Sequence, residues 1–210
     1  DDDVTSTAPT ISDIANQTIN EDVNTGAIAF TIGDAETAAG SLTLTKDSSN
    51  TTLVSVANIV FGGSGSSRTV TVTPELNQSG TSTVTVTVSD GSLTASDTFV
   101  LTVTAVNDAP TISNIANQAT NEDTTTSAIT FTVGDVETAA ASLVLTKTSS
   151  NTTLVPTANI VFGGSGANRT VTLTPVQDQS GTSTITIIVA DADAGTASDA
   201  FVLTVTAVND

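Results

Sequence analysis

The chain has no cysteine, histidine, methionine, tryptophan or tyrosine, and its only aromatic residues are six phenylalanines. Each absence removes a class of chemistry. Without cysteine there is no disulfide, thiolate metal site or thiol nucleophile. Without histidine there is no imidazole base, no ordinary zinc or haem ligand and no Ser-His-Asp triad. Basic residues are almost as scarce, being limited to Lys46, Arg68, Lys147 and Arg169. Phosphate backbones are held by clustered lysine and arginine, so nucleic acid is excluded as an expected partner. Paired carboxylates could serve a glycosidase, but a sugar cleft is usually lined with aromatics for stacking, and tryptophan and tyrosine are missing. The chain reads as a non-enzyme.

What is present is acidity and β-branching. Against the 4 basic residues stand 22 acidic ones, a formal charge of -18 over 210 residues. High charge with few apolar residues would signal disorder. Here 38% of residues are hydrophobic and threonine is abundant, which favours strands. No apolar run approaches the roughly 18–20 residues of a membrane helix, so no membrane insertion is expected. No signal peptide is visible. The start at Asp1-Asp2-Asp3 and the stop at Val208-Asn209-Asp210 suggest a processed chain or an excised segment.

Internal repetition organises the rest. Residues 8–90 align without a gap on residues 109–191 at an offset of 101, with 59 of 83 positions identical. After Asp90 the second copy gains one residue, Asp191-Ala192-Asp193-Ala194-Gly195-Thr196 standing against Asp90-Gly91-Ser92-Leu93-Thr94. A period of about 101 residues is too long for a solenoid and suits one complete small sandwich. Two tandem domains are expected, residues 1–107 and 108–210, with the boundary at Asn107-Asp108-Ala109-Pro110.

Within a unit the period is two. Ile28, Phe30 and Ile32 alternate with small or polar residues. So do Leu42 and Leu44, Val70 and Val72, Val84, Val86 and Val88, then Phe99, Leu101 and Val103. This pattern marks half-buried antiparallel strands with threonine on the wet face. A split opening strand (Thr10–Ile14, Gln17–Ile19) and the stretch Asn58–Phe61 bring the count to about seven. Turn signals fall at Gly33-Asp34, Gly62-Gly63-Ser64-Gly65, Gln78-Ser79-Gly80 and Asp90-Gly91. The predicted fold is all-β, two seven-stranded Greek-key β-sandwich domains in series.

Asp13, Asp47, Glu75 and Asp97 read as solvated surface charges that favour solubility. The remaining acids are placed differently. Strands are nearly free of them, and they gather at element ends: Asn20-Glu21-Asp22, Asp34-Ala35-Glu36, Asp90 and Asn107-Asp108. The second unit repeats this at Asn121-Glu122-Asp123, Asp135-Val136-Glu137, Asp191 and Asn209-Asp210.

The joint Asn107-Asp108-Ala109-Pro110 resembles the Asp-x-Asn-Asp-Asn-x-Pro linker of cadherin-type repeats. Glu122 follows Pro110 by twelve residues, much as the cadherin Pro-Glu motif follows its linker. Asp135-Val136-Glu137 stands where cadherins carry Asp-x-Asp, and Asp90 and Asp191 resemble the Ala-x-Asp element. The phrase as a whole, with Val-Asn-Asp-Ala-Pro-Thr-Ile, Asn-Glu-Asp and Ser-Asn-Thr-Thr-Leu-Val, is similar to the cadherin-like, immunoglobulin-like repeats of large bacterial surface proteins. The resemblance covers both units almost end to end.

It implies calcium between consecutive domains. A hard cation takes six to eight oxygen ligands and needs neither histidine nor cysteine. The implied ligands at the joint are Glu21, with Asn77 and Gln78, from unit one, Asn107 and Asp108 from the linker, and Asp135, Glu137 and Asp191 from unit two. Carboxylates meeting without a cation would repel and raise one another's pKa values, whereas a dication turns that repulsion into a clamp. Two half-sites are implied at the free ends. One comprises Asp34, Glu36 and Asp90, with oxygens lent by Asp1–Asp3; the other comprises Glu122, Asp178, Asn209 and Asp210. The sequence also departs from the cadherin pattern. The first linker acid is absent, Asp-Arg-Glu survives only as Asn77-Gln78 or Asp178-Gln179, and Asp-x-Asp has become Asp-x-Glu. Fewer charged ligands imply fewer or weaker ions, with affinities of about 10⁻⁴–10⁻³ M as in extracellular modules.

Other motifs lead less far. Gly62-Gly63-Ser64-Gly65-Ser66-Ser67 lacks the aspartate of calcium β-rolls and the Lys-Ser/Thr of a phosphate loop, and reads as a hairpin. Lys46 and Lys147 are in phase with inward leucines, which reads as a packed stem with a solvated ammonium. An isopeptide bond to an asparagine is the exotic alternative. Arg68 and Arg169 are expected to pair with a carboxylate or blunt a strand edge. The Asn-x-Ser/Thr sequons at Asn16, Asn50, Asn77, Asn151 and Asn168 arise readily in a threonine-rich chain.

The functional expectation is a structural one: extender repeats of a secreted or surface-anchored bacterial adhesin-like protein, extracellular, partnered by neighbouring repeats of the same polypeptide. Calcium would stiffen each joint by binding the ordered joint better than the frayed one. The alternative is a filament subunit that self-associates through edge strands. A carbohydrate- or protein-binding module comes third, because the aromatic residues that make hot spots are missing.

Overall fold

The computed structural model describes residues 6–209. The chain divides into two compact units between Val106 and Asn107. In the first unit the strands are β1 (Thr10–Ile11), β2 (Gln17–Asn20), β3 (Ile28–Gly33), β4 (Thr43–Ser48), β5 (Ile59–Ser64), β6 (Ser67–Val72), β7 (Gly80–Ser89) and β8 (Thr94–Thr104). They form two four-stranded sheets, ordered β1-β3-β6-β5 and β2-β8-β7-β4. The second unit repeats the plan with β9 (Thr111–Ile112), β10 (Gln118–Asn121), β11 (Ile129–Gly134), β12 (Val144–Ser149), β13 (Ile160–Ser165), β14 (Asn168–Leu173), β15 (Gly181–Ala190) and β16 (Thr196–Thr206). Its sheets run β9-β11-β14-β13 and β10-β16-β15-β12. With the divided opening strand counted once, each unit is the seven-stranded, immunoglobulin-like Greek-key sandwich that the alternation predicts. Among the described residues no helix is long and apolar enough to cross a membrane.

The inward row of each strand builds the core. Val84, Val86 and Val88 of β7 meet Phe99, Leu101 and Val103 of β8, and Phe30, Ile32, Ile59, Val70 and Val72 close the sandwich from the other sheet. Ile185, Ile187, Val189, Phe201, Leu203, Phe131, Val133, Ile160, Val171 and Leu173 do the same in the second unit. Each such side chain contributes about 1.5–3 kcal/mol when fully buried. Each unit therefore holds a complete core and both of its sheets. Outward, threonine faces threonine across strands, as in the pairs Thr45↔Thr87, Thr85↔Thr98 and Thr81↔Thr102.

The opening strand divides because its halves join different sheets. β1 pairs antiparallel with β3, whereas β2 pairs parallel with β8. Two side chains hold the crossing. Asp97 Oδ2 accepts a hydrogen bond from Ile14 N at 2.8 Å, and Asn16 Oδ1 accepts one from Val100 N at 2.7 Å. Asp199 with Ile115 N (2.9 Å) and Asn117 with Val202 N (2.8 Å) repeat both contacts. Asp97 is thus not the solvated charge expected from the sequence, because inward-pointing parity on β8 turns its carboxylate toward a backbone donor that the strand switch leaves without a ladder partner. Glu75 is corrected likewise, since its Oε1 accepts from Asn58 Nδ2 at 3.0 Å.

The glycine loop is the turn of the β5–β6 hairpin. Gly63 adopts φ +78°, and a Cβ there would collide with the carbonyl oxygen of Ser67. Lys46 Nζ and Lys147 Nζ are not simply solvated. They donate to the carbonyl oxygens of Ile59 and Ile160, and Lys147 also lies 5.2 Å from the Phe162 ring centroid. Arg68 and Arg169 bind backbone rather than carboxylates. Arg68 donates to the carbonyls of Gly65 (2.9 Å) and Ala39 (3.2 Å), and Arg169 to that of Ala140 (2.9 Å). Both arginines lie on interior strands, β6 and β14, rather than blunting an edge.

Topology fixes which loops share an end. β8 runs toward the linker, so the loop after β2 and the loop before β7 lie with it at the C-terminal pole. Gly33 pairs with Thr10 and Ser89 with Thr94, placing Asp34, Glu36 and Asp90 at the N-terminal pole.

Candidate metal centre

The acidic loops at the N-terminal poles are built on one device, an aspartate whose Oδ1 accepts the backbone N–H groups that follow it. In the second unit Asp135 Oδ1 accepts from Glu137 N (3.1 Å) and Thr138 N (2.6 Å). Asp191 Oδ1 accepts from Asp193 N and Gly195 N, both at 2.8 Å. In the first unit Asp34 binds Glu36 N (2.9 Å) and Thr37 N (2.6 Å), and Asp90 binds Ser92 N and Leu93 N, both at 2.6 Å. One oxygen of each carboxylate is thereby committed to shaping its own loop.

The other oxygen is the informative one. Oδ2 of Asp34, Asp90 and Asp135 is buried with no hydrogen-bond partner. Native proteins rarely leave a buried polar atom unpaired, because the lost hydration costs about 1–3 kcal/mol or more for a charged group. Three such atoms lie at the N-terminal poles of the two units. Asp191 differs, because its Oδ2 accepts from Asn107 Nδ2 at 2.9 Å. That bond, followed by the N–H donors of Gly195 and Asp193, holds the Asp191 carboxyl below its ordinary value. Asp90 is held low by the N–H groups of Leu93 and Ser92.

The predicted ligands of the second unit are thus brought together in pairs. Asn107 meets Asp191, and Asp108 N donates to Glu137 Oε2 at 3.1 Å. Glu36 in the first unit binds Thr7 through N (3.1 Å) and Oγ1 (2.8 Å) in the same manner. No cluster of three or more acidic side chains able to hold a metal forms among the described residues.

At the C-terminal pole of the first unit Glu21 is 6% exposed and its Oε1 accepts from Val106 N at 2.6 Å. Gln78 Nε2 donates to the carbonyl of Asn77, leaving its amide oxygen for another partner. In the second unit Glu122 Oε1 accepts from Val208 N at 2.7 Å, and Asp178 N donates to Asp123 Oδ1 at 3.0 Å. Asn209 lies in the stretch after β16, while Asp210 and Asp1–Asp3 lie outside the described residues. The sequence reading missed Gly195. A Cβ there would collide with Asp191 Oδ2 and press on Asn107 Nδ2, so only glycine permits that pair to meet. The one-residue insertion after Asp191 was the available signal.

No family model matches, and no curated relative matches. Among solved structures, the titin domains Z1Z2 in complex with telethonin match at 14% identity and TM-score 0.43, over 98% of this chain and 100% of that one. The human desmocollin-1 ectodomain matches at 11% identity and TM-score 0.48, over 96% of this chain and 41% of its own length. The extracellular cadherin domains 1–5 of protocadherin gamma B2 match at 15% identity and TM-score 0.49, over 96% and 40%. The chain spans about two fifths of these cadherin ectodomains. Such matches are resemblances of architecture, and they place no function on this chain.

Proposed function

We propose that the chain is a pair of structural extender repeats from a secreted or surface-anchored bacterial adhesin-type protein, with calcium stiffening the joint between them. The observation that carries this reading is the buried, unpartnered Oδ2 of Asp135 at the N-terminal pole of the second unit, which Asp34 repeats in the first. Asp135, Glu137 and Asp191, with Asn107 and Asp108 of the linker and Glu21 and Gln78 of the first unit, are the residues that would hold the ion. Bound calcium supplies a positive charge to oxygens that repel one another without it. The ordered linker is then the state that binds calcium best, and a stalk of such repeats keeps a terminal module away from its anchor. The chain lacks histidine and cysteine, and with them imidazole and thiolate catalysis.

Thermal unfolding and small-angle scattering with calcium and with chelator test the proposal. Calcium is expected to raise the melting temperature and the maximum dimension. The double variant D108N/D135N is expected to melt alike in both conditions. D13N is the control, because asparagine already occupies the equivalent position 114. Unchanged melting and dimension on chelation would defeat the proposal.

Edge strands β5 and β13 support a second reading. Val60 and Val161 on them are 57% and 54% exposed, and glycines follow, so either edge offers a strand for self-association. Calcium-independent fibres under the electron microscope are the outcome that would favour it.

A further inference from the structure

The outward face of the sheet β10-β16-β15-β12 in the second unit differs from its counterpart in the first unit in one direction. The first unit carries Thr18, Thr43, Asp47, Thr87, Ser89 and Thr98 there; the second has Ala119, Val144, Thr148, Ile188, Ala190 and Ala200. Each change removes a hydroxyl or a charge, and no outward position of these strands changes the other way. The parity is fixed by the core: Ile187, Val189 and Phe201 are buried, so Ile188, Ala190 and Ala200 point away from it. The first unit folds on the same plan with the polar set, so the fold does not require the apolar one.

The altered positions are contiguous. Val144, 58% exposed, lies opposite Ala190, and Ile188 is diagonal to both Val144 and Ala200. Val202 continues the row along β16. Diagonal neighbours on one face are within reach of each other, so β12, β15 and β16 present a single apolar band. The outward positions of these four strands include no charged residue. Asp47, which guards the outer edge of the matching sheet in the first unit, is replaced by Thr148 on the edge strand β12. Interface cores are depleted in charge in the same way. In a chain of net charge -18 such a face is where a second copy meets no carboxylate.

We propose that this face docks on the same face of a second copy of the chain, joining two chains through their second units. The strands β10, β12, β15 and β16, spaced about 4.8 Å apart and rising about 3.4 Å per residue, outline a face of about 500 Å². Two such faces cover about 1,000 Å², the size of a weak, reversible contact. The pairing is sheet on sheet, driven by removal of aliphatic surface from water. It is isologous, so Val144, Ile188 and Ala200 each enter it twice. It uses neither an oxygen ligand nor a free strand edge, and so is independent of both the calcium reading and the β5 and β13 edges.

The test is sedimentation velocity of the full chain over a series of concentrations, with chelator present throughout. The average mass of the parent should rise from 20.9 kDa toward twice that value. The variant V144T/I188T/A200T installs the first unit's own residues and should raise the concentration needed for dimer by about tenfold or more. V60T/V161T, which alters the β5 and β13 edges, should dimerise like the parent. In NMR spectra of the parent, raising the concentration should shift amides of β12, β15 and β16 and leave those of β4, β7 and β8 in place. These shifts need no variant, so they decide the matter even if the triple variant folds poorly. A parent that stays monomeric would overturn the proposal. So would a dimer that survives V144T/I188T/A200T, or one that V60T/V161T abolishes, which would move the contact to the strand edges. Because no calcium is present, loss of the dimer and loss of a calcium response are separate results.

Discussion

Asp97 offers the sharpest test of how the opening strand is held. Its Oδ2 accepts the N–H of Ile14, whose side chain is 2% exposed at the point where the strand leaves one sheet for the other. D97A removes the acceptor and strands that N–H in a part-buried position. A hydrogen bond to a charged group contributes about 1.5–3 kcal/mol, and an unsatisfied buried donor costs a similar amount, so a loss of about 2 kcal/mol is expected. For a domain of this size that lowers Tm by about 8–16 °C. D97N retains a neutral acceptor and should cost roughly half as much. The assay is denaturant unfolding followed by far-ultraviolet circular dichroism, with hydrogen exchange read by mass spectrometry to assign the loss to β1, β2 and β8. D199A provides an independent repeat, because Asp199 holds Ile115 N at 2.9 Å and should weaken the second unit alone. If D97A and D97N both lie within about 0.5 kcal/mol of the parent, the range of ordinary surface changes, the carboxylate is a surface charge and the reasoning is wrong.

Two further predictions concern loops. G164A forces alanine to φ +79° against the Asn168 carbonyl and should cost about 2 kcal/mol, whereas G163A meets only the movable Oγ1 of Thr170 and should cost less than about 1 kcal/mol. Chemical denaturation of the two variants gives the comparison. The second prediction is a pH dependence. Asp191 is held below its ordinary 3.8 by Asn107 and the loop N–H groups, so the folded state favours the ionised form. Its contribution is fully present above the unfolded value and is lost as pH falls through the lower folded one. Amide signals of Asn107, Asp193 and Gly195 should therefore stay fixed down to about pH 4 and move together only below it, and in D191N this step should disappear.

The fold was largely legible because its information is local. Alternation of Val, Ile, Leu and Phe with threonine assigns each strand a face, and a one-residue slip would turn the whole inward row to water. The 101-residue repeat likewise marked two similar units. The site was legible only as a list. Asp34, Asp90, Asp135 and Asp191 stood out by their position at element ends, but nothing in their spacing showed which oxygen each would commit to its own loop. Asp97 and Glu75 were misread because a carboxylate on a strand and one in a loop look alike until the neighbouring backbone is known.

Composition and periodicity by themselves determined that this protein is all-β, duplicated and devoid of imidazole or thiol chemistry, since those properties follow from which residues exist and how often they recur. Tertiary structure decided what the carboxylates do. Hydrogen-bond partners separated by 84 residues, such as Asn107 and Asp191, meet only when the sheets are assembled. Whether an oxygen is left buried and unpaired, as on Asp135, depends on the three-dimensional accounting of donors around it, which no linear pattern contains.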